Sequence, residues 1–201
     1  MIKSIDIASI DSKNLYSYLS DAITPRPIAF VSSIDKKGNK NLSPFSFFNV
    51  FSIKPPILVF SPVNRVRNNT SKDTLKNVKE VKECVISLVT EEIAQQVSLS
   101  SCDFDKEINE FDKAGFTEVK SELVSPPRVK ESPINFECNV SKIIELGKNG
   151  GAGNLVICEV LKIHIEENVL NKNNFIDPFN LNIISRHGRN WYGKTTQDSL
   201  Y

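Results

Sequence analysis

The chain has 201 residues, of which 40% are hydrophobic and 24% are charged. These values exclude a disordered or fibrous protein, and the length predicts one folded domain over residues 1–201. Its 25 lysines and arginines and 24 aspartates and glutamates give a formal net charge of +1. The chain as a whole therefore has no positive electrostatic field that would attract nucleic acid or an acidic membrane.

The apolar stretches and the cysteines indicate the cellular compartment of the protein. Stretches such as 28–31 and 57–60 are far shorter than the roughly 18 residues that cross a bilayer, and the N-terminus lacks a secretory pattern. We therefore expect a cytoplasmic protein with no membrane span. The four cysteines, 84, 102, 138 and 158, include no Cys-x-x-Cys pair, so we predict buried free thiols and no metal site.

The first half of the chain indicates short antiparallel strands. Residues 27–34 form a β-rich run that opens with a proline, which predicts the first core strand. A glycine within 35–39 predicts a hairpin turn, and a second strand is expected at 57–61 after two prolines. Apolar residues at helical spacing predict a helix over 69–81, with Thr70 or Ser71 as its N-cap.

The second half returns to strands. We predict a strand at 84–89, a helix at 91–98, and an acidic surface excursion over 100–115 that ends in a short helix closed by Gly115. Strands at 134–144 and 154–166 flank a glycine-rich segment, which predicts a long hairpin. Many short strands without β-α-β alternation favour a mainly β protein, a small antiparallel barrel with peripheral helices.

Two segments carry residues suited to a ligand. In 41–49, hydroxyl and amide side chains alternate with phenylalanines, a mixture that suits a flat, partly polar ligand; alternatively, the phenylalanines pack the core. In 65–74, Lys72 and Thr74 lie where a helix begins and could receive a phosphate; alternatively, Thr70, Ser71 or Asp73 only caps the helix. A ring site beside a phosphate site describes FMN.

Two further segments have two readings each. In 185–192, Arg186 or Trp191 could cover a ring, or the segment is a tail that packs on a partner subunit. His187 has no recognisable carboxylate to orient it as a proton donor. The glycine-rich segment 147–153 could bind phosphate, but its context favours a flexible hairpin tip.

The order of these motifs resembles the flavin reductase-like family of FMN-binding split-barrel proteins, which includes flavoredoxin. The resemblance extends over roughly residues 15–195 and rests on a set of short segments: 25–33, 41–49, 55–56, 72–77, 109–117, 132–138, 156–165 and 185–188, with Tyr192 following.

The resemblance implies a split-barrel homodimer with one noncovalent FMN per subunit near the interface. By position, the ring and ribityl chain would contact Ser32, Ser33, Ser46, Phe47, Phe48 and Asn49. The phosphate would be met by Lys72, Asp73 and Thr74, with Arg67 as a helper. The C-terminal segment, with Arg186 and Trp191, would lie close to a flavin, either that of its own subunit or that of the partner.

The implied function is electron transfer from NAD(P)H or a redox partner, through FMN, to a flavin, ferric iron or a protein acceptor. The cofactor would carry the chemistry, so we assign no catalytic acid, base or nucleophile. Two alternatives stay open. One is an FMN-binding electron carrier or storage module without NAD(P)H turnover, since no nicotinamide fingerprint is present. The other is a structural barrel that has lost its cofactor.

Overall fold

A seven-stranded antiparallel sheet forms the body of the protein. The computed structural model describes residues 1–102, 109–196 and 198, so part of the predicted acidic excursion, 103–108, lies outside the described residues. The order of the strands across the sheet is β2-β1-β5-β8-β9-β4-β3. Their bounds are β1 (Ala29–Ile34), β2 (Lys40–Phe45), β3 (Phe48–Ile53), β4 (Pro56–Phe60), β5 (Glu83–Ser87), β8 (Ile134–Glu145) and β9 (Asn154–Ile165).

In the described part of the chain, two short hairpins and five helices surround the sheet. The hairpins pair β6 (Glu118–Val119) with β7 (Arg128–Val129), and β10 (Ile184–Arg186) with β11 (Tyr192–Lys194). The helices are α1 (Ser12–Ala22), α2 (Asp73–Glu80), α3 (Ala94–Leu99), α4 (Glu110–Ala114) and α5 (Pro178–Leu181), with 3-10 turns at Ile7–Ser9 and Glu167–Val169. Among the described residues, every helix is too short or too polar for a membrane span.

The sheet is buried on both faces around β1, where side chains alternate between two hydrophobic clusters. Val31 of β1 joins an inner cluster drawn from six strands and α2, whereas its neighbour Phe30 joins an outer cluster with α3 and α4. In the outer cluster, Phe111 of α4 is completely buried. The expected surface excursion is therefore wrong for α4, whose apolar side packs on the sheet.

The predicted strands and the long hairpin are confirmed, and so is the mainly β, antiparallel class. The predicted helix at 69–81 begins later than expected, at Asp73, and its N-cap is Lys72. Thr70 does not cap it, because its hydroxyl donates to Asn68 Oδ1 at 2.7 Å within the preceding loop. Gly115 does close α4, in a left-handed conformation with φ of 73°.

Three of the four cysteines lie in the inner cluster. Cys84, Cys138 and Cys158 are buried, and the Sγ atoms of Cys84 and Cys158 are 3.8 Å apart. The prediction of buried free thiols is confirmed for these three and wrong for Cys102, which is exposed after α3.

Candidate functional site

The corner between β2 and β3 is where the candidate site forms. These two strands are consecutive in the chain, yet they form the opposite edges of the sheet. Only Ser46 and Phe47 join them, and the backbone carbonyl of Phe47 accepts a 2.8 Å hydrogen bond from the Ser61 N–H after β4. The two corner residues line different cavities: Ser46 lines a small pocket and Phe47 a large cleft.

The large cleft has a volume of about 780 Å³, within the usual range of cofactor sites. Its walls come from α1, the corner, the loop after β4 and the β8–β9 loop. The aromatic rings of Tyr16 and Phe47 lie 6.4 Å apart, centroid to centroid, and Arg67 supplies a cation. The lining residues are Ser12, Lys13, Leu15, Tyr16, Leu19, Phe47, Val63, Val66, Arg67, Gly150 and Gly151.

The glycines of the β8–β9 loop close one side of this cleft. A Cβ on Gly150 would lie 2.9 Å from the Cα of Val66, so only glycine allows the loop to approach that backbone. Gly151 has a φ of 90°, and its N–H donates to the Asn64 carbonyl at 3.0 Å. The hairpin tip predicted for 147–153 is thus a cleft wall, a role that a count of glycines could not show.

The small pocket has a volume of about 260 Å³ and lies between the corner, α3 and the C-terminal hairpin. Among the described residues, Arg186 is the only charged one that lines it, and the guanidinium stacks on the ring of Tyr192 at 4.6 Å from the centroid. The lining residues are Ile28, Pro44, Ser46, Val97, Ser98, Ser101, Arg186, Asn190 and Tyr192. The described part of this lining holds one cation and no carboxylate, which favours a neutral or anionic group.

The predicted phosphate segment is a hydrogen-bonded unit in front of α2. Burial opposes ionisation of Asp73, but interactions with Lys76, at 2.8 Å, and Arg65, at 3.5 Å, outweigh it and hold the pKa of this carboxyl below its ordinary value. Thr74 is buried, and its hydroxyl donates to Asn41 Oδ1 at 2.5 Å. Lys72 is half-buried at the N-cap.

Glu110, the first residue of α4, belongs to the same hydrogen-bonded unit. Its carboxylate accepts hydrogen bonds from Asn41 Nδ2 at 2.6 Å and from the Leu42 N–H at 3.2 Å. Burial outweighs both bonds and raises the pKa of this carboxyl above its ordinary value. The polar groups of Thr74 and Asn41 therefore hold α2, β2 and α4 together.

Ser32 and Ser33 are both completely buried in β1. The Ser33 hydroxyl accepts a 3.2 Å hydrogen bond from Asn77 Nδ2 of α2. The Ser32 hydroxyl has no hydrogen-bond partner in the described part of the chain. Neither serine is among the residues that line the cleft or the small pocket.

The structure therefore brings the predicted residues together in two pairs: Ser46 with Arg186, and Phe47 with Arg67. The others lie apart from these cavities. Phe48 packs against the inner cluster, Asn49 is exposed, and Trp191 is 73% exposed. Sequence reasoning missed the contribution of α1, because its cleft residues, such as Tyr16 and Leu19, carry no motif.

A comparison with known protein families identifies the chain. A family model described as a flavin reductase like domain matches residues 21–186. The chain belongs to the flavin reductase-like family. The matched region includes most residues that line the two cavities. It leaves out most of α1 and the residues after Arg186.

Solved structures agree with this flavin reductase-like assignment. Nitrilotriacetate monooxygenase component B from Bacillus cereus is 31% identical, with a TM-score of 0.92 over 98% of this chain and 97% of that one. The 2-nitrobenzoate 2-nitroreductase NbaA of Pseudomonas fluorescens is 28% identical, with a TM-score of 0.86 over 97% and 93%.

A split-barrel protein from Shewanella frigidimarina shares the fold at 21% identity, with a TM-score of 0.81 over 95% of this chain and 92% of that one. The predicted split barrel is thus confirmed, with the split at the β2–β3 corner. The family and its neighbours place the chain among flavin-related oxidoreductases and indicate a flavin as ligand.

Proposed function

We propose that the protein is an FMN-dependent oxidoreductase that takes electrons from NAD(P)H or a redox partner. The observation that carries this proposal is the cleft beside the corner, which combines two aromatic rings, apolar walls and the Arg67 cation in about 780 Å³. This combination of aromatic, apolar and cationic side chains fits a ligand in which a flat ring is joined to an anion. Bound FMN would supply hydride acceptance and onward electron transfer, which no side chain can perform.

The side chains have distinct roles in this proposal. Phe47 and Tyr16 offer ring surfaces, and Arg67 in the cleft wall neutralises the phosphate. The phosphate contact of Lys72, which does not line the cleft, stays a prediction. Asp73 and Thr74 act mainly through their neighbours, because Asp73 orients Arg65 and Thr74 holds Asn41. Direct contacts of the remaining predicted residues stay predictions: Ser32, Ser33, Phe48, Asn49 and Trp191.

The small pocket is the proposed place for the ring of the donor or acceptor. Ser46 belongs to the same corner as Phe47, so a group in this pocket lies next to the wall of the cleft. Arg186 would attract a carboxylate, carboxamide or nitro group there, and Tyr192 keeps that guanidinium in place. The acceptor is a flavin, ferric iron or a redox protein such as a partner oxygenase.

We propose that the protein works as a homodimer that uses β3. This edge strand is apolar yet exposed: Phe51 is 69% and Ile53 83% accessible to solvent. An exposed apolar edge strand favours pairing with another chain, and soluble monomers avoid it. Each subunit would complete the site of the other at the corner where β3 begins.

Replacing Phe51 by aspartate should convert the dimer to monomer, because a charge would be desolvated at the interface. Light scattering coupled to size-exclusion chromatography measures this. Phe175→Asp is the matched control, since Phe175 is equally exposed, at 70%, but lies far along the chain, between β9 and α5. A wild-type monomer, or a Phe51→Asp dimer, contradicts the β3 interface.

A second function, an FMN-binding electron carrier without NAD(P)H turnover, is favoured by one observation. At about 260 Å³, the small pocket can hold a single ring but not a whole dinucleotide. Steady-state NAD(P)H oxidation by the FMN-loaded protein decides between them. Turnover with free flavin or ferric iron supports the oxidoreductase, and binding of FMN without turnover supports the carrier.

A further inference from the structure

Arg26 is a buried cation that contacts three elements around the candidate site: α1, the C-terminal hairpin and the corner. It precedes β1 and is only 6% exposed. Its Nη1 donates to the carbonyls of Ser20 and Ile23, its Nη2 donates to the His187 carbonyl at 3.0 Å, and its Nε lies 3.5 Å from Ser46 Oγ. Few side chains other than a guanidinium present enough donors for such a set.

Two of these contacts pair carbonyls at the end of a helix. Ser20 and Ile23 lie at the C-terminus of α1, where the last carbonyls have no partner in the helix and carry the negative end of its dipole. A cation at that position stabilises the helix end. Arg26 thus fixes the direction in which α1 runs over the cleft.

The same residue holds the C-terminal hairpin. The Arg26 N–H donates to the Arg186 carbonyl at 2.9 Å, and the Arg186 N–H donates back at 2.8 Å. The hairpin lies so close to α1 that a Cβ on Gly188 would come within 2.9 Å of the Asp21 Cα. The backbone ladder and the guanidinium together set the position of Arg186 in the small pocket.

No carboxylate within the described residues forms an ion pair with Arg26. Asp21 is the nearest candidate by its place in α1, but it faces Arg189 at 3.7 Å. A buried charge without an ion-pair partner is costly, and the carbonyl dipoles together with the longer-range attraction of Asp21 compensate for it here.

We propose that Arg26 is the positioning residue of the candidate site, which clamps α1 and the C-terminal hairpin to Ser46 at the corner. The large cleft depends on the position of α1, and the small pocket depends on the position of the hairpin. The identity of the ligands in the two cavities rests on the proposed function, whereas the role of Arg26 in holding α1 and the hairpin does not.

Hydrogen exchange of the FMN-free protein tests the clamp directly. In Arg26→Met, amide protection should fall at least tenfold in 12–23 and 184–194, while β5 and β8 keep theirs. In the FMN-loaded protein, affinity should fall at least tenfold and the visible circular dichroism of the flavin should change. Arg26→Lys keeps the charge but has one donor group, so it should restore the signal only in part.

Arg189→Met is the matched control: this guanidinium also links the hairpin to α1, through Asp21, but it is 76% exposed, and a surface ion pair contributes little, so protection and affinity should change less than about twofold. Unchanged protection in Arg26→Met overturns the proposal. If that variant fails to fold, wild-type protection in Arg26→Lys overturns it instead, and local loss in 12–23 and 184–194 supports it. A wild-type protein that binds no FMN refutes the proposed function, and exchange still decides on Arg26.

Discussion

Glu137→Gln should lower the free energy of unfolding by about 3 kcal/mol, because a buried carboxylate that accepts several charge-assisted hydrogen bonds is replaced by a neutral amide. Glu137 in β8 is completely buried. Its carboxylate accepts hydrogen bonds from the N–H groups of Glu122 and Leu123, at 2.9 and 2.6 Å, and lies 2.6 Å from His164 Nε2. Glutamine has nearly the same volume but offers one acceptor oxygen and no charge.

The effect should depend on pH. Burial opposes ionisation of Glu137, but the two N–H donors and His164 outweigh it and lower the pKa of this carboxyl. A carboxyl with a depressed pKa contributes stability above the ordinary glutamate value of about 4.3, and this contribution is lost as the pH falls through the folded-state value. The difference between wild type and Glu137→Gln should therefore be full at pH 7 and shrink below about pH 4.

Urea unfolding at a series of pH values measures both effects. Glu122→Gln is the control from the same cluster, because the Glu122 side chain is 52% exposed and pairs with Lys162 at the surface. Its loss should change stability by less than about 1 kcal/mol. Equal stabilities of the two variants at pH 7 would contradict the anchoring role of Glu137.

The double variant Arg67→Ala/Lys72→Ala should weaken FMN binding by about 100-fold or more. Each cation offers a charge-assisted hydrogen bond to phosphate, worth about 1.5–3 kcal/mol, and two such losses together give this factor. Riboflavin lacks the phosphate, so its weaker binding should change little. Fluorescence titration with FMN and with riboflavin gives both affinities.

A matched control removes two cations from elsewhere. Lys36 lies in the β1–β2 turn and Lys79 pairs with Glu145 at the surface, so Lys36→Ala/Lys79→Ala has the same net charge as the test variant. If both double variants lose the same affinity, the effect comes from the overall field, and the phosphate assignment to Arg67 and Lys72 is wrong. An unchanged affinity in the test variant has the same consequence.

Local sequence patterns were sufficient for the strands but not for the interior contacts. The proline-led run before Val31 and the glycine-rich link between β8 and β9 are short-range signals, and the structure confirms both elements. The helix 69–81 was placed too early because Thr70 has the chemistry of an N-cap. Its hydroxyl bonds instead within its own loop, a choice that propensity does not decide.

The site was predictable where the residue types alone imply a ligand. In segment 41–49, the alternation of hydroxyl and aromatic side chains points to Ser46 and Phe47, and each of these residues lines a cavity. Thr74 shows the limit, because a hydroxyl at a helix start suits a phosphate and an internal network equally, and here it bonds Asn41. The role of Arg26 has no signal in the local sequence, since its partners lie up to 161 positions away in the chain.

The most direct test is the titration of the purified, FMN-free protein with FMN, followed by visible absorbance and flavin fluorescence. The account predicts saturable binding of one FMN per subunit, with perturbed flavin bands that bleach when NAD(P)H is added without oxygen. Bleaching that requires a redox partner instead would favour the carrier. A protein that stays colourless and binds no FMN, while folded and dimeric, would contradict the assignment of the cleft.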